Sequence, residues 1–129
     1  MLATFFGIAV IGLFSYLRSA DFISRVHLYT AVSIYLLLGM LWFAIYCAID
    51  VISPGSFGSS GNTFTDRQSE LLYFSLVTLA TIGYGDVVAR RGEARILSAL
   101  EGMAGVLYVA ITVAILVNAY RQQNSSSSE

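Results

Sequence analysis

The stretch Thr78-Leu79-Ala80-Thr81-Ile82-Gly83-Tyr84-Gly85-Asp86 holds the residues whose types and spacing could do chemistry. Two glycines in three residues end any helix and reach φ values closed to other L-residues. Alternating such residues with ordinary ones lets successive carbonyls point the same way, toward an axis. Carbonyl oxygens that have no amide partner suit a dehydrated cation. Catalytic chemistry of the usual kinds has no support. One histidine, His27, gives no metal cluster or triad, and one cysteine, Cys47, gives neither a disulfide framework nor a cysteine-based zinc site. No nucleophile–base pair or phosphate loop is present, so the chain is not expected to be an enzyme.

The elements that must position this stretch are apolar. Of 129 residues, 57% are hydrophobic and 12% charged, against about 25% charged in an average globular domain. Seven arginines, no lysine and eight acids leave a net charge of −1, which excludes a nucleic-acid footprint. Three apolar runs stand out, at 1–17, 26–49 and 96–120, the last broken only by Glu101. A hydrocarbon core of about 30 Å needs about 20 helical residues, which the second and third runs supply. The first lies at the lower limit. It lacks the basic start of a signal peptide and reads as an N-terminal transmembrane helix. Residues 50–65 carry the only proline with several Gly and Ser, the composition of an exposed loop. Thr65-Asp66-Arg67-Gln68 is a capping-box pattern opening a helix over 66–79. About 20 Å long, that helix is too short to cross a bilayer and reads as re-entrant. The low-complexity tail 121–129 is expected to be disordered. Irregular backbone at membrane depth is tolerable only where protein or a water-filled cavity surrounds it, so the carbonyls of 81–86 must be covered or put to use.

In this setting T-x-x-T-x-G-Y-G-D, from Thr78 to Asp86, resembles the selectivity-filter signature of potassium channels. Six fixed letters at about 5% usage each arise by chance on the order of once in 10^6 sequences of this length. The order of elements also resembles that of the family's pore domain: outer helix 26–49, extracellular loop 50–65, pore helix 66–79, filter 81–86, inner helix 93–120. The resemblance implies an all-α membrane protein, here with one extra N-terminal helix at 1–17, that assembles as a homotetramer in the plasma membrane. It implies K+ bound by the carbonyls of Thr81, Ile82, Gly83 and Tyr84 and the Thr81 hydroxyl, with no organic cofactor. It places Ile82 and Tyr84 side chains outward into protein and Asp86 at the extracellular mouth. Thr78, Phe74, Val77 and Glu101 would support the filter. The pore helix would aim the negative end of its dipole at a cation halfway across the membrane. The pattern departs from many members at Tyr73 and Phe74, where tryptophan is usual. It departs from some at Val77, where a glutamate partners the filter aspartate, so Asp86 lacks that partner here. A potassium transporter subunit or a weakly selective cation channel is the alternative reading, and a non-conducting membrane anchor a third.

Gly105 lies 20 residues beyond Gly85, where potassium channels carry an inner-helix hinge. Bending and close packing both explain a glycine there, and Gly102 shares the packing reading. Val106, Val109, Ala110, Val113 and Val117 recur at helical spacing and line either an apolar vestibule or a lipid-facing stripe. Glu101, the one acid in its span, is a brace that accepts from Ser75 or Thr78, or else a group that attracts ions or senses pH. His27 reads as an interfacial residue and Cys47 as a small apolar one. No span carries arginine at every third residue, so no voltage-sensing helix is expected; either a regulatory domain or subunit is missing from the chain, or the pore is constitutively open or gated at the filter or by the bilayer. Counting arginines on the two sides gives three against four and leaves orientation to the filter resemblance.

Overall fold

The computed structural model describes residues 4, 7, 8, 11, 12, 15, 25–59 and 66–126. The span expected over 1–17 lies largely outside the described residues, as do 60–65 of the expected loop. Three helices and a two-stranded ribbon make up the rest: α1 Arg25–Ile52, β1 Phe57–Ser59, α2 Arg67–Leu79, β2 Val87–Ala89 and α3 Gly92–Ser126. Within them, Leu28–Ile52 and Gly92–Asn118 are long and apolar enough to cross a membrane. The fold is that of an all-α membrane protein.

The expected loop at 50–65 begins later than its composition suggested. α1 runs on through Asp50 to Ile52, and Pro54, which disfavours helical backbone in the residue before it, stops it. Pro54 and Gly55, the latter at φ +80°, form a tight turn closed by the Ser56 amide on the Ser53 carbonyl at 3.2 Å, the residue pattern of a type II turn. The chain then enters β1, which pairs antiparallel with β2 in the register Phe57↔Ala89, Gly58↔Val88, Ser59↔Val87. The ribbon extends through the Arg90 amide to the Ser56 carbonyl at 2.8 Å. The exposed Arg90 guanidinium lies over Gly58, where a Cβ would only require that flexible side chain to swing aside.

The cap of α2 also differs from expectation by one residue. Asp66, in extended backbone, is the N-cap, its carboxylate accepting from the amides of Gln68 and Ser69 at 3.2 Å each and from the Ser69 hydroxyl at 2.8 Å. Aspartate caps as well as any residue, and these hydrogen bonds hold its carboxyl below the usual carboxylate range. α3 is longer than the expected 93–120 and takes in 121–126 of the tail expected to be disordered. No Gly or Pro follows Gly105, and Ala119, Arg121, Gln122 and Gln123 are strong helix formers, so nothing stops the helix there.

The core sits where all five elements meet. Tyr46, Phe57, Leu71, Phe74, Val87 and Ala94 are buried together. Three of them form a triangle of rings with centroids 5.1 Å apart for Tyr46–Phe57 and 5.3 Å for both Tyr46–Phe74 and Phe57–Phe74, all steeply inclined. Inclined ring pairs contribute about 0.5–1.5 kcal/mol each beyond area burial. A smaller cluster of Ala31 and Ile34, against Tyr108, joins α1 to α3 lower down, where the Tyr108 hydroxyl donates to the Ala31 carbonyl at 2.6 Å.

Candidate functional site: the Thr81–Asp86 strand and its supports

α2 ends in a specific way, and the candidate site begins inside that ending. The Thr81 amide donates to Thr78 O at 2.9 Å and the Ile82 amide to Val77 O at 3.0 Å. With Ala80 as C-cap, these are the two bonds of a Schellman motif. Such a motif needs left-handed backbone at the residue after the cap, a place that usually takes glycine. Here that residue is Thr81, at φ +56°. A β-branched residue in this region is strained by about 1–3 kcal/mol. Helix termination was expected from Gly83 and Gly85; the chain turns out of the helix before either.

Gly83 at φ +57° and Gly85 at φ +77° continue the pattern, so every second residue from Thr81 to Gly85 is left-handed. Alternation of this kind rotates successive peptide planes so that their carbonyls share a side. Among the described residues, none of the carbonyls of Thr81, Ile82, Gly83 and Tyr84 accepts a hydrogen bond. The Ile82 and Tyr84 side chains, expected to lie in protein, are 54% and 69% exposed on the single chain.

Asp86 is held from two sides. Its Oδ1 accepts from the Val87 amide at 3.0 Å and its Oδ2 from the Tyr73 hydroxyl at 2.8 Å. The bond to the carboxylate keeps the Tyr73 phenol protonated beyond the usual tyrosine range. Asp86 thus has a partner in Tyr73, next to Phe74, that sequence reasoning missed. Phe74 packs in the ring triangle, and Val77 contributes its carbonyl to the cap.

Glu101 is fully buried, and two expected side chains stand differently around it. Ser75 Oγ lies 2.6 Å from Glu101 Oε1, whereas Thr78 is not among its partners in the described residues. The second partner is Tyr46, with its hydroxyl 2.5 Å from Glu101 Oε2. Ser75 Oγ also lies 2.9 Å from the Gly39 carbonyl, so α1, α2 and α3 meet in one polar cluster. Below it, the Tyr35 hydroxyl donates to the Leu79 carbonyl at 3.1 Å. Buried tyrosines need a partner for the hydroxyl, and that rule is the one signal that could have drawn Tyr35 and Tyr46 out of an apolar run.

Gly105 faces the end of α2, and a Cβ there would overlap the Leu79 carbonyl. At Gly102 the nearest atom to such a Cβ, Thr78 O, stands at an ordinary 3.8 Å. Val106, Val109 and Ala110 line one concavity with Thr81 and Gly105, directly beneath the strand. Val113 and Val117 follow on α3, exposed on the single chain.

The loop end of α2 is anchored by Arg67. Its guanidinium grips Asp50 of α1 through two bonds, at 2.9 and 2.7 Å, and also reaches Glu70 at 2.6 Å and the Phe57 carbonyl at 3.1 Å. The bonds to Asp50 hold the guanidinium in its charged form.

A family model described as "Ion channel" matches residues 22–122. The chain belongs to this ion channel family. It is similar to the A-type voltage-gated potassium channel KCND3 of Rattus norvegicus, with 33% identity over 85 residues, 63% of this chain and 13% of the relative. It is also similar to the voltage-gated potassium channel KCNC4 of Rattus norvegicus, 37% identical over 89 residues, 66% of this chain and 14% of the relative. Two pore potassium channel b of Oryza sativa subsp. japonica is 40% identical over 75 residues, 58% of this chain and 19% of the relative. The chain thus matches less than a fifth of the length of each of these relatives. Family and relatives are ion channels, not enzymes, and the two apolar helices belong to a membrane protein.

Proposed function

We propose that this chain supplies one quarter of a homotetrameric pore that conducts K+ selectively and passively across the plasma membrane. The observation that carries the reading is the row of unbonded carbonyls from Thr81 to Tyr84, on a strand whose alternate residues are left-handed. Those four oxygens, with the Thr81 hydroxyl at the inner end, replace the hydration shell of a monovalent cation. A single strand cannot surround an ion, so a closed ring of four is required. The exposed Ile82 and Tyr84 side chains support that ring, because they are apolar surface that a neighbouring chain would cover. Potassium, and not another cation, is favoured by Tyr84 between the two glycines and by the relatives, each of which is named a potassium channel.

The remaining parts follow from this axis. Asp86, braced by Tyr73, sits at the outer mouth and its field gathers cations. The C-terminal end of α2 aims its dipole at the cavity below the strand. Val106, Val109 and Ala110 line that cavity, and Val113 and Val117, exposed further along α3, would continue it as an apolar wall able to close by dewetting. Gly105 is the place where α3 could bend below the filter.

Ion flux into liposomes tests the reading. Purified chain is expected to carry K+ far faster than Na+, without saturable coupling to a second ion. Gly83→Ala is expected to abolish selective flux while membrane insertion persists, since a β-carbon disfavours the required backbone. Equal K+ and Na+ flux, or unchanged K+ flux in the variant, would remove the assignment.

A further inference from the structure

The polar cluster behind the strand contains more oxygen–oxygen contacts than its hydroxyls can bridge. Gly39 O to Ser75 Oγ is 2.9 Å, Ser75 Oγ to Glu101 Oε1 is 2.6 Å, and Glu101 Oε2 to Tyr46 Oη is 2.5 Å. Each contact needs a proton between its oxygens. The Gly39 carbonyl has none to give, and the Ser75 and Tyr46 hydroxyls bring one each. Three contacts and two hydroxyl protons leave one missing.

No other group nearby makes up the difference. The Ser98 hydroxyl, one turn before Glu101 on α3, donates to the Ala94 carbonyl at 2.7 Å and also stands within reach of the Tyr46 hydroxyl, but its one proton bridges neither contact of Ser75. The Tyr35 hydroxyl on α1 is committed to Leu79 O. The Arg67 ion pairs lie with Asp50 and Glu70 at the loop end of α2. Glu101 has no exposed surface even on the single chain, so water does not reach it through the face that other copies or lipid would cover. An isolated carboxylate in such a place costs several kcal/mol.

We propose that Glu101 carries the missing proton: a neutral carboxylic acid that donates within the cluster and acts as a positioning residue for the strand. Ser75 then donates to the Gly39 carbonyl and accepts from Glu101 Oε1, while Tyr46 donates to Oε2. Every contact holds one proton; α1 contributes the Gly39 carbonyl and Tyr46, α2 Ser75 and α3 Glu101. Of the roles open to this acid, bracing, ion attraction and pH sensing, the proton count favours bracing over ion attraction. A neutral group fully enclosed by protein draws no cation. The inference stands apart from the choice of permeant ion, because it concerns only the atoms of one chain.

Infrared difference spectroscopy of the full chain in lipid vesicles at neutral pH, wild type against Glu101→Gln, is the direct measurement. A carbonyl stretch from a protonated, hydrogen-bonded carboxyl is expected in the wild type, displaced in D2O and lost in the variant. A difference spectrum showing only the paired bands of an ionised carboxylate would overturn the proposal. Tyr46→Phe provides a second reading that does not depend on the first variant folding. Removing the bond into Oε2 is expected to move the same band to higher frequency, and an unmoved band would overturn the assignment to Glu101. Glu101→Gln is also expected to keep its assembly and melting temperature near wild type, because an amide donates to Ser75 and accepts from Tyr46 in the same places. Loss of both in this variant with retention in Glu101→Asp would show that the site needs a charge, and would overturn the proposal as well.

Discussion

Gly102 and Gly105 look alike in the sequence, two small residues on one helix, and only their neighbours separate them. Gly105 presses on the Leu79 carbonyl, a backbone atom that cannot swing away as a side chain can. Alanine there forces α3 off the end of α2. A destabilisation of about 1–3 kcal/mol is expected, visible as a lower melting temperature in detergent, whereas Gly102→Ala is expected to be close to neutral. Equal effects at the two positions would separate the packing from the structure described. Thr81 makes the same point from the opposite side. No rule of residue preference places a β-branched side chain in left-handed backbone, so its conformation was not legible in the sequence, while those of Gly83 and Gly85 were.

At the level of elements, the long ones were legible and the short ones were not. α1, α2 and α3 announce themselves by apolar length and by the composition shift between them. The strands β1 and β2, at three residues each, are too short for alternation to register, and their pairing depends on the chain after Asp86 returning to the turn at Pro54 and Gly55. Partners across elements were equally hidden. Tyr46 reaches Glu101 over a sequence separation of 55 residues, and no local pattern encodes that. Arg67 is the joint that lets α2 start where it does. Its planar fork matches the Asp50 carboxylate in a way that a lysine cannot. Arg67→Lys is therefore expected to behave much like Arg67→Gln, each lowering stability by about 1–2 kcal/mol, less at high salt because the site is partly exposed. Thermal unfolding in low and high salt measures both.

On the scale of the molecule, a single chain leaves too much apolar surface for any aqueous or lone existence. Ile96, Met103, Val106, Leu107 and Val113 are all more than half exposed along α3, on more than one face. In the proposed tetramer lipid would cover one such face and neighbouring copies another. Crosslinking in mild detergent is expected to give species up to four subunits and no larger ladder, since a closed ring uses up its interfaces. A ladder that stops at two, or that never stops, would contradict the ring. The signature in 78–86 was enough to suggest this assembly from sequence, because one strand with no partner for its carbonyls is an unfinished object.

Thr81 belongs to two devices at once. It is the residue that closes the cap of α2, and it opens the row of free carbonyls. No linker separates them, so the coupling has no slack. A slide or twist of α2 by a fraction of a turn is delivered whole to the innermost oxygen of the row. Nor can that oxygen be reset without breaking a cap bond. In the pore proposed above, no distant lever would be needed to switch conduction off: whatever tugs on the short helix would already have its hand on the sieve.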